Sequence, residues 1–235
     1  MADFDPEAGD GGGAKFDAYA DNYEQLNEKS QRASGEPPAY FAEYKLRCIE
    51  RLVGPGHDEP ILDYGCGVGA LTERLATRFS CTAGYDPSAD CVERARARVT
   101  AGTFYGKTEE IPDRHFGVVV VANVLHHVPP ADRPALIQLL MQKLQPGSGR
   151  LVVFEHNPLN PLTRRAVAAC EFDDDAILLW PRELPKLLRD NGAVRVRRDF
   201  IVFFPRVLAA LRWSEPHLSW LPLGAQMMVV GTAAE

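Results

Sequence analysis

The sequence lacks any apolar run as long as the ~20 residues that a membrane-spanning helix needs. Its first residues, MADFDPEAGDGGGAK, also lack the basic and then apolar pattern of a signal peptide. The five cysteines are an odd number without a CxxC pair, which fits neither a disulfide framework nor a zinc site. We therefore expect reduced thiols, no stable membrane insertion and a cytoplasmic location.

Basic residues are also scarce. Lysine and arginine number 26 against 32 acidic residues, which leaves a net charge of -6. A generic nucleic-acid-binding protein needs a basic face to displace counterions, so we expect no nucleic-acid partner. The hydrophobic fraction of 46% is ordinary for a globular protein, and 235 residues suffice to bury one core.

Residues 15–235 are predicted to form one domain, behind an acidic, Gly-rich tail (1–14) that we expect to be disordered. The predicted strands are 61–64, 81–85, 103–105, 117–124, 150–155, 194–204 and 226–233, and the predicted helices are about 38–53, 70–79, 88–99, 131–144 and 182–191. This alternation predicts an α/β fold with a doubly wound, mostly parallel sheet. Such sheets bind ligands at the carboxyl ends of their strands.

A glycine-rich turn follows the first predicted strand, in the pattern Asp63-x-Gly65-x-Gly67-x-Gly69. Without side chains, these glycines let a ligand lie against the backbone, and the helix that follows offers free amides. Asp86 ends the second strand about 20 residues after the first glycine, the spacing at which an acidic residue binds paired ribose hydroxyls. The turn and Asp86 together predict a nucleoside-binding site.

The stretches DYGCGVGALT, GYDPS and FGVVVVANVLHHV resemble the successive motifs of class I S-adenosylmethionine-dependent methyltransferases, over roughly residues 16 to 204. The resemblance implies a Rossmann-like sheet of seven strands with the last one antiparallel, and S-adenosyl-L-methionine as the cofactor. The glycines would face its methionine part, Asp86 its ribose, and Asp63 would order the turn or reach the amino group. The resemblance also implies cofactor contacts for Cys66, Pro87, Asn123 and Val124.

Two further cofactor contacts are expected from the same resemblance. FDAYADNY (16–23) is similar to the family's N-terminal lid, which makes Tyr19 and Tyr23 either cofactor ligands or aromatic anchors of a helical lid (15–53). Many relatives carry an acid after the third strand that accepts the adenine amino group. Here Lys107 stands at that place and cannot accept a hydrogen bond, so Thr108, Glu109 or a backbone carbonyl must do so.

The catalytic group is expected in ANVLHHVPP (122–130), just after the fourth strand. A histidine titrates near neutrality and suits a hydroxyl acceptor, so His126 or His127 is a candidate general base. Being adjacent, the two are expected to point in different directions. Glu155, at the end of the fifth strand, could orient an imidazole, and His156 is a third candidate. A purely structural role for these histidines remains open.

A histidine pair with a carboxylate resembles sugar and natural-product O-methyltransferases. We therefore expect methyl transfer to a small-molecule acceptor, with a sugar-like or natural-product hydroxyl favoured over nitrogen or carbon. A non-catalytic subunit that binds S-adenosylmethionine stays open, whereas the GxGxG spacing and the lack of a second nucleotide-binding half count against a nicotinamide-dependent oxidoreductase.

Several motifs of other methyltransferase classes are absent. There is no Asn-Pro-Pro-aromatic motif of adenine-N6 enzymes and no Pro-Cys nucleophile of base C5 enzymes. The acidic pattern of the metal-dependent catechol enzymes matches poorly, so no metal is expected. The three aspartates at 173–175 could attract a cation, but a solvated loop that caps the following segment is the favoured expectation.

Two insertions, 156–192 and 203–225, are expected to cover the substrate. The second is rich in large apolar residues and is equally consistent with a substrate wall, a homodimer contact or a patch for a lipid-linked substrate.

Overall fold

The computed structural model describes residues 34–56, 58–170 and 173–235. Its helices are α1 (Pro38–Val53), α2 (Ala70–Ala76), α3 (Ala89–Arg98), α4 (Arg133–Lys143), α5 (Pro161–Ala168) and α6 (Glu183–Asp190). Its strands are β1 (Ile61–Tyr64), β2 (Thr82–Tyr85), β3 (Thr103–Tyr105), β4 (Val118–Ala122), β5 (Arg150–His156), β6 (Ala193–Ile201) and β7 (Gln226–Ala233). Short 3₁₀ segments occupy Thr108–Glu110, Leu125–His127 and Arg206–Leu218.

The seven strands form one sheet in the order β3-β2-β1-β4-β5-β7-β6. All neighbouring pairs are parallel except those that involve β7, which lies antiparallel between β5 and β6. The predicted doubly wound, seven-stranded and mostly parallel sheet with an antiparallel last strand is therefore confirmed. The order reverses between β1 and β4, so the carboxyl ends of these two strands form the topological switch point.

Helices cover both faces of the sheet, because the central strands are apolar on both sides. On one face, Leu136 and Leu140 of α4 and Leu188 of α6 pack with β1, β4, β5 and β7. On the other face, α1 and α2 pack with the same sheet, and Ile49 of α1 is fully buried. The helix α1 belongs to the segment 15–53 that the sequence predicts as a lid, and its buried apolar residues share one cluster with residues of β1, β4 and β5.

Local chemistry fixes where several elements begin and end. Ser88 caps α3, since its hydroxyl accepts the Cys91 N–H at 3.1 Å, and Asn160 caps α5 in the same way. The fourth strand was predicted to reach residue 124 but ends at Ala122, because Asn123 adopts a left-handed φ of 59°. That turn directs the following residues away from the sheet and over its carboxyl edge.

Within the part of the chain that the structure describes, we find no helix long and apolar enough to cross a bilayer.

Candidate active site

The glycine turn lies at the switch point, directly after β1. Gly65, Gly67 and Gly69 have φ values of 77°, 51° and 81°, which an L-residue adopts only at a cost. A Cβ on Gly65 would lie 2.4 Å from Cγ2 of Val124, which follows β4. The absence of a side chain at residue 65 therefore serves both the backbone conformation and the close approach of the two strand ends.

Asp86 fixes the same turn from β2. One of its carboxylate oxygens accepts the Gly67 N–H at 2.8 Å, and the other accepts the Ser88 N–H at 3.0 Å. The Asp86 carboxylate is buried, and an ionised carboxylate is an acceptor for hydroxyl groups. This arrangement fits the paired hydroxyls of a ribose.

An unsatisfied polar atom marks the neighbouring strand end. The side-chain oxygen of Asn123 is buried, and no hydrogen-bond partner for it is found among the described residues. Its backbone N–H donates to the Phe154 carbonyl oxygen, which holds the strained residue in place. Because buried polar groups are normally paired, a ligand that donates to Asn123 fits this edge of the sheet.

A buried ammonium group faces the same edge and was not recognised from the sequence. Lys45 of α1 is 8% exposed, its Nζ lies 5.9 Å from the centre of the Phe154 ring, and no hydrogen bond from Nζ is found within the described ranges. Burial lowers the pKa of Lys45 to about 8, against the opposing effect of the Asp63 and Glu155 carboxylates. A helix pattern alone places a lysine in solvent, so no sequence signal pointed to it.

Asp63 is the buried acid at the start of the turn. Its carboxylate accepts the Thr72 hydroxyl at 2.7 Å, which ties β1 to α2. Burial raises the pKa of Asp63 to about 6, while the Thr72 hydrogen bond and the charge of Lys45 oppose the rise. This hydrogen bond joins the end of β1 to α2, and the two roles that the resemblance implies for Asp63 stay predictions.

Glu155 and His126 form a buried pair beyond the turn. The carboxylate of Glu155 accepts the Leu125 N–H at 2.8 Å and contacts Nδ1 of His126 at 2.7 Å. Burial opposes a charge on His126, but Glu155 and Asp173 outweigh it and raise the pKa of its imidazole to about 10. Burial alone would raise the pKa of the Glu155 carboxyl group. The charge and the hydrogen bond of His126 outweigh burial and lower this pKa. The two carboxylates therefore favour the protonated form of His126, which is unfavourable for a general base.

The expectation that the two adjacent histidines diverge is wrong. They lie in a 3₁₀ turn, their ring centres are 4.2 Å apart, and both Nε2 atoms face the same oxygen of Asp173, at 3.5 Å and 3.3 Å. Asp173 itself is buried rather than part of a solvated loop, because the Ile177 N–H donates to the His126 carbonyl oxygen and docks this segment. Burial alone would raise the pKa of Asp173. The two histidines lower it by more, so the net shift is downward. Asp175 remains exposed near Nδ1 of His127.

His156 completes the cluster from the end of β5. Its ring centre lies 5.2 Å from that of His126, and no hydrogen bond to its ring is found among the residues described. Burial and the charge of His126 lower the pKa of His156 to about 4, so its imidazole is neutral.

The other predicted residues occupy varied positions. The Cys66 side chain packs under α3 with Val92 and Phe104, which leaves only its backbone for a cofactor. Pro87 and Glu109 are exposed, whereas Thr108 is buried at the carboxyl end of β3 and donates its hydroxyl to Glu109. The predicted contacts of Tyr19 and Tyr23 lie outside the described residues. The roles of all these residues remain predictions.

Comparison with known proteins gives the family. A family model described as a methyltransferase domain matches residues 19–208. The ubiquinone biosynthesis O-methyltransferase of Bradyrhizobium is 30% identical over 173 residues, which are 66% of this chain and 64% of that protein. An uncharacterized methyltransferase of Synechocystis is 31% identical over 116 residues, which are 48% and 54% of the two chains. The chain thus spans between about half and two thirds of these curated relatives.

Solved structures show the same fold. A methyltransferase of Thermotoga maritima, described as a possible histamine N-methyltransferase, superposes with a TM-score of 0.67 at 20% identity and covers 94% of this chain and 98% of its own. The magnesium protoporphyrin IX methyltransferase of Synechocystis with bound SAM gives 0.57 at 17% identity, over 88% and 83% of the chains. The glycine turn, Asp86 and the family match together identify the chain as a class I S-adenosylmethionine-dependent methyltransferase.

Proposed function

We propose that this protein transfers the methyl group of S-adenosylmethionine to a hydroxyl of a small molecule, with a sugar-like or natural-product acceptor. The observation that carries the proposal is the contact between Gly65 and Val124. This contact supports the proposal because the glycine turn lies beside Val124, the residue that leads directly into the histidine cluster. A methyl donor and proton-accepting side chains then meet at one edge of the sheet.

The cofactor supplies an electrophilic methyl group on a sulfonium. In our proposal, the glycine turn receives its methionine part, Asp86 holds the ribose, and Asn123 accepts a hydrogen bond. Lys45 supports the binding of the methionine carboxylate, since this ammonium is buried with no hydrogen bond from Nζ among the described residues, and charge-assisted hydrogen bonds are stronger than neutral ones. Thr108 and Glu109 are proposed for the adenine because they follow β3 at the same edge.

The acceptor hydroxyl is proposed to lose its proton to His127. His126 already has a carboxylate at 2.7 Å from Nδ1 and a second one facing Nε2, so it acts as a positioning residue. His127 is the more exposed of the pair, at 14% for its side chain against 1%. As the O–C bond forms and the C–S bond breaks, the hydroxyl proton passes to His127, and Asp173 stabilises the resulting imidazolium.

The comparisons favour oxygen as the acceptor atom without fixing it. Curated relatives from four bacteria are named ubiquinone biosynthesis O-methyltransferases, at 26–30% identity. The structural neighbours include a phosphoethanolamine N-methyltransferase, which resembles this chain in fold alone at 15% identity. Transfer to nitrogen is therefore the second candidate.

The test begins with calorimetric titration of S-adenosylhomocysteine, with NADH as the negative control. Binding of S-adenosylhomocysteine alone would justify an acceptor screen of phenolic and glycosylated compounds, read by mass spectrometry for a gain of one methyl group. Within that screen, His127→Asn should lower kcat by about 100-fold with little change in cofactor affinity. A folded protein that binds no S-adenosylhomocysteine, or a His127→Asn variant with parental kcat, contradicts the proposal.

A further inference from the structure

The histidine cluster contains more ligand atoms than a proton transfer needs. Three side chains, those of His126, His156 and Asp173, each offer one ligand atom. These three atoms lie within 4.8 Å of one another. They come from three separate parts of the fold, namely the turn after β4, the end of β5 and the segment after α5. Asp173 is 9% exposed and His126 is 1% exposed, whereas His156 is half-buried.

The spacing suits an ion better than a hydrogen bond. Nε2 of His126 lies 3.5 Å from Asp173, which exceeds the usual length of an N–H···O bond. Two ligands that each lie ~2.1 Å from one tetrahedral ion are separated by ~3.4 Å. The pair therefore stands at the distance that a shared ion would impose, and a ring nitrogen of His156 lies within 4.8 Å of both ligand atoms.

The surroundings of His126 also match a metal site. Histidines that ligate metals usually donate their second ring N–H to a carboxylate, which fixes the ring and leaves the other nitrogen free to ligate. Glu155 contacts Nδ1 of His126 at 2.7 Å, and its other oxygen is held by the Leu125 N–H. Nε2 faces Asp173, and it would ligate the ion after binding of the ion has displaced the proton from this nitrogen. His156 has no hydrogen bond to its ring among the described residues, which leaves its nitrogens available.

We propose that His126, His156 and Asp173 bind a divalent transition-metal ion such as Zn²⁺ or Mn²⁺, with an open position for the acceptor oxygen. Two imidazoles and one carboxylate are poor ligands for Mg²⁺ or Ca²⁺, which prefer oxygen throughout, and three protein ligands leave room for an exogenous one. This inference deepens the proposed function and rests on it for the role of the ion. The ion would hold the acceptor hydroxyl beside His127, which takes its proton.

The test uses the full chain stripped with a chelator and titrated calorimetrically with Zn²⁺, with Mg²⁺ as a comparison ion. We expect one equivalent of Zn²⁺ to bind, and His156→Gln and Asp173→Asn each to weaken binding at least about 10-fold. His115→Gln is the matched control, because His115 is an exposed histidine outside the cluster. Co²⁺ added to the parent protein should give a visible d–d absorption that Zn²⁺ displaces, a readout that does not depend on any variant.

No binding of Zn²⁺ to the parent, or equal binding by the parent and both folded cluster variants, overturns the inference. S-adenosylhomocysteine is titrated into the same metal-free sample. Binding of S-adenosylhomocysteine without Zn²⁺ binding leaves the methyltransferase proposal standing and removes the metal site. Binding of Zn²⁺ by a protein that does not bind S-adenosylhomocysteine supports the metal site and contradicts the methyltransferase proposal.

Discussion

Replacement of Gly65 by alanine tests how closely the glycine turn and the β4 end are fitted. The new Cβ would lie 2.4 Å from Cγ2 of Val124, about 1 Å closer than carbon atoms normally approach. Valine is stiff at χ1, so relief requires a backbone shift, and overpacking of this kind costs about 1–3 kcal/mol. The positive φ of 77° adds about 1–2 kcal/mol for an L-residue.

Gly56→Ala separates the two contributions. Gly56 has a φ of 78°, and a Cβ there would meet nothing within 4 Å. This control therefore carries the φ penalty and the same loss of unfolded-state entropy, but no clash. Both variants are compared with the parent by thermal denaturation monitored by circular dichroism. Gly65→Ala should lower Tm by about 4–8 °C more than Gly56→Ala, the equivalent of about 2 kcal/mol.

A second substitution checks that Val124 is the obstacle. In the Gly65→Ala, Val124→Ala double variant the clash is gone, so about 1–3 kcal/mol should return relative to the sum of the single changes. The single Gly65→Ala change should also reduce turnover, because a shifted Val124 displaces the turn that holds His126 and His127. Equal Tm losses for Gly65→Ala and Gly56→Ala, or strictly additive single changes, would refute the reasoning.

Three further predictions separate the roles of the charged residues. Lys45→Met should weaken the binding of S-adenosylhomocysteine about 10- to 100-fold in calorimetry. It should leave the binding of 5′-methylthioadenosine, which lacks the carboxylate, unchanged. Equal losses of affinity for the two ligands would mean that Lys45 only supports the fold. Asp86→Asn should weaken both ligands by similar factors, since both carry the ribose, and a loss confined to one would contradict that role. Glu155→Gln should lower kcat at least about 10-fold at unchanged KM for the cofactor, whereas Asp175→Asn, on the exposed side of His127, should stay near the parent.

The fold and the cofactor turn could be predicted because their signals are local. The patterns that predict a strand, a turn and a helix each lie in consecutive residues. Parallel strands of one sheet then have their carboxyl ends at the same edge. Gly65 and Asp86 belong to different strand–turn–helix units, yet each directly follows its own strand. Their meeting followed from topology alone.

The histidine cluster could be predicted only in part, because it depends on long-range packing. Glu155 lies near the end of β5 and His126 in the turn after β4, and the sequence predicts that Glu155 contacts one of the imidazoles. Asp173 reaches the same place through a segment that docks on the His126 backbone, and its sequence of three aspartates indicates a solvated loop. Lys45 was missed for a similar reason, since its burial arises where α1 crosses the sheet edge.

Two residues with a left-handed φ lie side by side where the chemistry is proposed, although Arg114, Arg195 and Val202 adopt such a φ elsewhere in the described chain. Asn123 has a left-handed φ of 59° and an unpaired buried oxygen among the described residues, and Gly65 stands beside it with a φ of 77°. Gly65 directly follows β1 and Asn123 directly follows β4, and the buried residues of these parallel strands hold both turns in place. For Asn123 the left-handed φ costs about 1–3 kcal/mol, which the core contacts of β4 outweigh. In our proposal, the turn at Gly65 leads toward the cofactor and the turn at Asn123 leads toward the histidines. A different conformation at either residue would separate the proposed methyl donor from the group that receives the acceptor.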